Sequence, residues 1–348
     1  MADVGRRPRR AFIGSFTAAG GPGIVAAAVD PGDGALTVLS SVNGLPDPSY
    51  LTLSPDGGTL YAVSETADGA VAAYSLAGDV PEPAGPPVPV GGGPTHLTVF
   101  DGHVLTADYG SGSVTAVPVR PDGTLAPAPS GVLRHSGSGP RTPRQQGPHA
   151  HQVQADPSGR RLVGVDLGTD SVRVCDLRDG RPVLHREFAL RPGSGPRHLV
   201  FHPDGGHAYV VNELTPTVTV CRWDAPEGSL KPLAEVPVLP GAPAGDAYPS
   251  GIAVSPDGRF VWTATRGEDV LSVFAVEGGG EALRLVGTVP CAGRWPRALT
   301  ESAGFLYVAN EHSGDVTWFA LDPATGLPRR GGSIPVPAAS CVVLDQGM

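Results

Sequence analysis

Lysine is nearly missing from this 348-residue chain: of 25 basic residues only Lys231 is a lysine, in the loop-like context GSLKP. Schiff-base and phosphate-loop chemistry, which need a lysine held in a built pocket, lose their reagent. Cysteine is scarce too. Cys175, Cys221, Cys291 and Cys341 are scattered with no C-x-x-C spacing, and two of them sit in apolar runs (VRVCDL, VTVCRW), where a small buried thiol fits. They are expected to be reduced structural residues. No stretch approaches the roughly 20 apolar residues of a membrane helix, and the N-terminus MADVGRRPRRAFIGSF lacks the apolar core of a signal peptide. The expectation is a cytoplasmic protein with no membrane partner. A basic surface is also lacking: net charge is −9, and the run Arg6, Arg7, Arg9, Arg10 is terminal. Nucleic acid is a poor partner for such a chain.

Glycine (49) and proline (38) are abundant, but they punctuate short apolar runs. With 40% hydrophobic and 17% charged residues the composition is that of a chain with a large core. One pattern repeats: a proline, an apolar strand, a tight turn, a second apolar strand ending in a polar residue, then two more strands. It opens at Pro48, Pro94, Pro148, Pro196, Pro249 and Pro296, at spacings of 46, 54, 48, 53 and 47 residues. A period near fifty with four strands per unit predicts an all-β propeller. Pro-Asp-Gly turns and alternation in TLYAVSE support β structure, and helical spacing is absent.

The two ends complete each other. Residues 337–344 read as a first strand without a second, and 11–17 as a second strand without a first. Together they predict a seventh blade of four antiparallel strands, closed by both termini, which removes the open sheet edge. The whole of 1–348 is then a single domain, with 1–10 as a disordered tail.

In such a wheel the start of a blade's first strand lies beside the end of its second. This predicts the couples Ser49 with Glu65, Thr95 with Asp108, His149 with Asp166, Arg197 with Glu213, Ser250 with Arg266, and Arg297 with Glu311. One face should carry a ring of carboxylates broken by arginines and a histidine, opposite ordinary turns. The pair His149 and His151 has metal-ligand spacing on a strand, but no third ligand is specified. The reading preferred is that His151 supports His149, which beside Asp166 is held in one tautomer as a general base. No metal or other cofactor is expected.

GPHAHQV, preceded by GSGPRTPRQQ (137–146), resembles the signature of the seven-bladed lactonase family, which includes propeller-type 6-phosphogluconolactonase and carboxymuconate cyclase. GPRHLVFHPDGGHAYVVNEL (195–214), YPSGIAVSPDGRFVWTATRG (248–267) and WPRALTESAGFLYVANEH (295–312) are similar to its later blades. The resemblance implies catalytic positions at His149, Arg197, Glu213 and Arg266, with Arg144 and Gln145 in the loop before His149. Thr265 stands where the family commonly has asparagine. Further contacts to substrate are expected from His151, Asp166, His198, Arg297 and Glu311.

Lactone hydrolysis needs an activated water, an oxyanion site and a proton for the leaving oxygen. His149 suits the first, Arg197 and Arg266 the second. Glu213 either orients Arg197 or, if burial raises its pKa, donates the proton. Asp166, Glu65, Asp108 and Glu311 suit sugar hydroxyls. No G-x-S-x-G elbow is present, so direct water attack is expected rather than an acyl-enzyme. The partner is then a small-molecule lactone, and the protein a monomer or weak homo-oligomer. Alternatives are a muconate-type lactonising cyclase and a non-catalytic interaction propeller.

Overall fold

In a computed structural model, residues 9–345 form seven antiparallel sheets arranged as blades around a central channel. Blade 1 starts with the strand Leu51–Leu53, blade 2 with Pro94–Phe100, blade 3 with Ala150–Ala155 and blade 4 with Pro196–Phe201. Blade 5 starts with Tyr248–Val254 and blade 6 with Pro296–Ser302. Blade 7 is shared: Ala339–Leu344 is innermost, followed outward by Arg10–Ser15, Ile24–Val29 and Leu36–Val42. Phe12 lies opposite Val343 and Gly14 opposite Cys341. A Cβ on Gly14 would lie 2.3 Å from the carbonyl oxygen of Pro48, so glycine lets blade 7 press against blade 1.

The last two residues of the expected disordered tail are ordered. Arg10 is a buried strand residue, and Arg9 donates through Nε to the Asp345 carbonyl at 2.9 Å. Residues 1–8 lie outside the described part of the chain. Blade 1 also differs: its outer edge is two short strands, Glu82–Pro83 and Val88–Pro89, both pairing with Ala70–Ser75. Proline cannot donate to a ladder, so these segments stay short and at the edge.

Burial falls from hub to rim. Thr59–Ser64 is buried throughout, whereas Leu36–Val42 buries only its first residue. Apolar side chains of adjacent blades pack together, as Val163, Val165 and Val172 do against Leu199, Val210 and Trp223. One aromatic device recurs. Tyr61, Tyr209 and Tyr307 donate their hydroxyls to the carbonyls of Gly123, Gly280 and Gly34, and the Trp262 indole donates to Gly326. Each satisfies a polar tip while its ring fills the gap between neighbouring blades.

The feature that makes the mouth is a bulge. In six blades the register of the innermost strand skips a residue near its start: Thr95, His151, Arg197, Arg297 or Ser340, and both Ser250 and Gly251 in blade 5. A bulged residue leaves the ladder and is re-aimed. Blade 3 therefore corrects the expected alignment. Ala150, not Pro148, pairs with the last residue of the second strand, Asp166, just as Pro196 pairs with Asn212. His151 is thus the counterpart of Arg197, and His149 lies ahead of the strand.

Candidate functional site

Glu213 follows the second strand of blade 4 and is almost wholly buried at the mouth. Three guanidinium groups meet its carboxylate. Arg197 Nε lies 3.1 Å and Arg266 Nη2 2.8 Å from Oε2, and Arg144 Nη2 donates to Oε1 at 2.6 Å. Arg197 is locked by a 2.7 Å bond from Nη1 to the Ser250 carbonyl, and Arg266 Nε donates to the Tyr248 carbonyl at 3.3 Å. Burial alone would raise the Glu213 pKa, but Arg266 and Arg197 override it and hold the group well below the ordinary carboxylate range. Glu213 is therefore an ionised orienting group. Its alternative part as proton donor required a raised pKa, and the guanidinium groups shift it the other way. Burial, then Arg266, pulls Arg197 down to about 9, which leaves it charged at neutral pH.

Across the channel the charge ratio inverts. Arg297 approaches Glu65 at 3.2 Å and Glu311 at 3.3 Å, and its guanidinium caps the Phe16 ring at 4.7 Å. Here one cation serves two partly exposed carboxylates, which raise the Arg297 pKa against the effect of burial. The expected couples Arg197–Glu213 and Arg297–Glu311 are thus ion pairs. Glu65 pairs with Arg297 rather than Ser49, Thr95 donates to the His151 carbonyl, and Ser250 bonds backbone carbonyls of Ala264 and Pro296.

His149 keeps a fixed tautomer, but Asp166 is not its holder. Its Nδ1 donates to the Tyr109 carbonyl at 2.9 Å, and its ring stacks on Tyr109 at 4.2 Å. A carbonyl only accepts, so the neutral ring carries its proton on Nδ1 and its lone pair on Nε2. Asp166 meets only the His149 backbone N–H, at 2.9 Å, while His135 Nδ1 takes the other carboxylate oxygen at 2.6 Å. The Asp166 carboxylate is fully buried and spent on protein groups, so it is corrected from a substrate contact to a structural one. Asp108 is spent likewise, accepting from Thr106, Ser113 and Thr115, and burial raises its pKa to about 6. Gln145 is also redirected. It bonds the Leu167 carbonyl, Asp170 and the Arg141 N–H, and so shapes the loop that presents Arg144.

His151 and His198 lie deeper, in the channel. The His198 ring is 5.2 Å from His151 and 5.5 Å from His96, and Arg197 Nη1 is 3.4 Å from His198 Nε2. Burial first, then Arg197, drives both pKa values well below 6.5 and that of His96 to about 3. These imidazoles are neutral. His149 and His151 do not converge as a ligand pair: one stacks on Tyr109 and the other meets its edge at 5.5 Å.

Two site residues escaped sequence reading. Tyr109 links His149 to Arg144, whose Nη2 donates to the Tyr109 hydroxyl at 3.3 Å. Trp295 sits just before the innermost strand of blade 6 with φ of 61°. The same place is left-handed at Asp47, Gly93, Gly195 and Ala338; glycine bears it without cost and aspartate with little. A bulky side chain there is strained. Trp295 is held by its N–H to Asp269 at 2.7 Å, stacks on His312 at 4.5 Å, and lies 5.5 Å from the Arg266 guanidinium. The signal was the tryptophan before Pro296, where two sister repeats have glycine.

Among known proteins, the family model for "Lactonase, 7-bladed beta-propeller" matches residues 10–344. The 6-phosphogluconolactonase of Bacillus subtilis is 34% identical over 339 residues, spanning 95% of this chain and 97% of its own. A 6-phosphogluconolactonase of Formosa agariphila is 31% identical, over 90% of this chain and 93% of its own. Of solved structures, the periplasmic gluconolactonase of Pseudomonas aeruginosa superposes with a TM-score of 0.90 at 30% identity, covering 97% of this chain and 98% of that one. With blade 7 shared between residues 10–42 and Ala339–Leu344 and this match over residues 10–344, the chain belongs to the seven-bladed β-propeller lactonase family.

Proposed function

We propose that the protein hydrolyses a sugar lactone, 6-phosphogluconolactone foremost, by direct attack of water. The observation that carries this reading is the cluster at Glu213: three cations against one anion, in a chain of net charge −9. Such an excess, held in low dielectric, is built for negative charge, whether a phosphate or a developing oxyanion. Arg144, with 40% of its side chain exposed, is the member best placed to meet a phosphate, and Arg266 serves the oxyanion. Glu65 and Glu311 accept from sugar hydroxyls. The same two carboxylates oppose a diacid, so a sugar lactone is favoured over a muconate. Two similar proteins that bear the name 6-phosphogluconolactonase support the choice of substrate.

In this mechanism the lone pair on His149 Nε2 takes a proton as the water oxygen bonds to the lactone carbonyl carbon. The resulting oxyanion is held by Arg266 and Arg197. Collapse re-forms the carbonyl and breaks the bond to the ring oxygen, which receives the proton back from the imidazolium. One water is consumed and one hydroxy acid formed. The four unpaired thiols suit a reducing compartment, and the cytoplasm remains the expected location. No helix among the described residues is long and apolar enough to cross a membrane.

The test is purified protein with fresh δ-6-phosphogluconolactone and δ-gluconolactone, each against spontaneous opening. Wild type should exceed the background with preference for the phosphorylated ring. Arg266→Ala should lose about 10²–10³-fold in kcat and His149→Ala about 10²–10⁴-fold. Background rates for wild type, or full activity in both variants, would overturn the reading.

A further inference from the structure

On the face opposite the mouth, the turn HPDGGH of blade 4 gathers His202, Asp204 and His207. The same turn in blades 1 and 5 starts with serine. There Ser54 and Ser255 donate to Asp56 and Asp257 at 2.5 and 2.7 Å, and each hydroxyl accepts a backbone N–H at 2.9 Å. In those turns the serine hydroxyl both donates and accepts, so it is fully used. His202 stands in the serine's place, with the same backbone bond from its N–H to the His207 carbonyl at 2.9 Å. Its ring creates a mismatch the serine turns lack.

His202 Nε2 lies 3.0 Å from the Gly258 carbonyl, which can only accept. The neutral ring therefore has its proton on Nε2 and a lone pair on Nδ1. The Asp204 backbone N–H points at that Nδ1 from 3.3 Å, which again makes it an acceptor. Yet Asp204 Oδ1, a carboxylate oxygen, is only 2.9 Å from it. Two acceptors in contact need a positive charge between them, which either a second ring proton or a metal ion supplies. His207 brings a second Nδ1 to 3.1 Å from the other carboxylate oxygen, and all three ligand atoms lie within 4.8 Å of one another. A Cβ at Gly280 would lie 2.4 Å from His207 Nδ1, so the backbone of blade 5 leaves room for this ring.

We propose that His202, Asp204 and His207 bind a divalent transition-metal ion of the zinc class. Ligand atoms around a tetrahedral zinc with bonds of 2.0–2.1 Å sit about 3.3 Å apart. The two nitrogen–oxygen separations here, 2.9 and 3.1 Å, are a little shorter, while ring centroids 6.2 Å apart set the two nitrogens wider, so the rings must turn toward the ion. Two imidazoles and a carboxylate select such an ion over calcium or magnesium, which prefer all-oxygen shells. The bond from His202 Nε2 to a carbonyl is the outer support that metal-bound histidines use to fix their tautomer. Asp204, 39% exposed, opens the site to solvent and leaves a position for water. Because Gly258 belongs to blade 5, the ion fastens the blade 4 turn to its neighbour. Five residues of strand, about 17 Å, separate His202 from Arg197, so the ion acts on stability and not on the lactone.

The experiment is isothermal titration of chelator-treated full-length protein with Zn²⁺, with Co²⁺ absorption as a second readout and thermal unfolding as a third. Wild type should bind one equivalent, show tetrahedral Co²⁺ bands and gain several degrees in Tm. His202→Ser restores the side chain that sister turns carry, so it should fold, and it should lose at least 10-fold in affinity together with the Tm gain. His185→Ser, on a rim strand, should behave as wild type. Absence of saturable binding, or equal binding by His202→Ser, would overturn the proposal.

Discussion

Glu213 and Arg297 are charge inverses of each other, one carboxylate among three guanidinium groups and one guanidinium between two carboxylates. They differ as much in solvent as in sign. The Glu213, Arg197 and Arg266 side chains are 4–8% exposed, whereas Arg297, Glu65 and Glu311 are 17–19% exposed. A buried cluster cannot relax by recruiting water, so its geometry is fixed before substrate arrives. A wetter cluster can exchange protein partners for substrate hydroxyls at small cost. One half of the mouth is a preset electrostatic field, the other an adaptable hydrogen-bonding surface.

The sharpest way to break this contrast is the same substitution on both sides. Glu213→Gln leaves two buried cations, Arg197 and Arg266, without their anion and should cost about 3–5 kcal/mol of stability. Glu311→Gln should cost no more than about 1 kcal/mol, the usual range for a pair that water reaches. Denaturant unfolding of both variants measures the difference, and equal losses would erase it.

A second test uses pH. His96, His151 and His198, packed under the cationic half, have folded pKa values below their ordinary 6.5. The unfolded chain therefore takes up protons first as pH falls. Their contribution to stability is full above about 6.5 and is lost below it, at up to about 1.4 kcal/mol per pH unit for each ring. Glu213 adds loss of the same sign below 4.5, since its folded pKa is lowered. Asp108 runs the other way: with its pKa raised to about 6, it costs stability as pH rises from 4 to 6. Unfolding free energy followed from pH 8 to 5 should fall, and His198→Phe should flatten the slope. An unchanged slope would remove the histidines as its cause.

The smallest effect expected is at Trp295. Glycine suits its left-handed backbone, as at the sister positions 93 and 195, so Trp295→Gly should not lower Tm. It should nevertheless weaken the hold on Arg266, with a loss in kcat equivalent to about 0.5–2 kcal/mol, and leave KM for the unphosphorylated lactone little changed. A variant less stable and fully active would reverse the assignment.

The wheel itself was legible because each blade repeats a proline, a buried apolar residue and a turn, and because the two ends read as complementary halves of one sheet. The mouth was only partly legible. Arginines and Glu213 announced themselves by charge at matching positions, but a bulge changes where a side chain points without changing alternation. Pro148 drew the alignment two residues astray. Anchoring blade 3 on Val153, the counterpart of the buried Leu97 and Leu199, puts His151 in line with Thr95 and Arg197. Asp108 and Asp166 turned inward because nearby hydroxyls and His135, remote in the chain or on the next strand, claimed their oxygens. Except for Thr106, two residues from Asp108 on the same strand, such partners cannot be read from a strand's own residues.

The register that sets Ala11 against Leu344 also governs how the protein is made. Six blades can assemble one after another as the polypeptide leaves the ribosome, but the strand Arg10–Ser15 emerges early and must wait, its inner edge bare, until Ala339–Leu344 arrives. The hoop therefore cannot snap shut until the other six blades have been made, and a nascent chain stalled before Ala339–Leu344 carries an adhesive edge that invites pairing with a stranger.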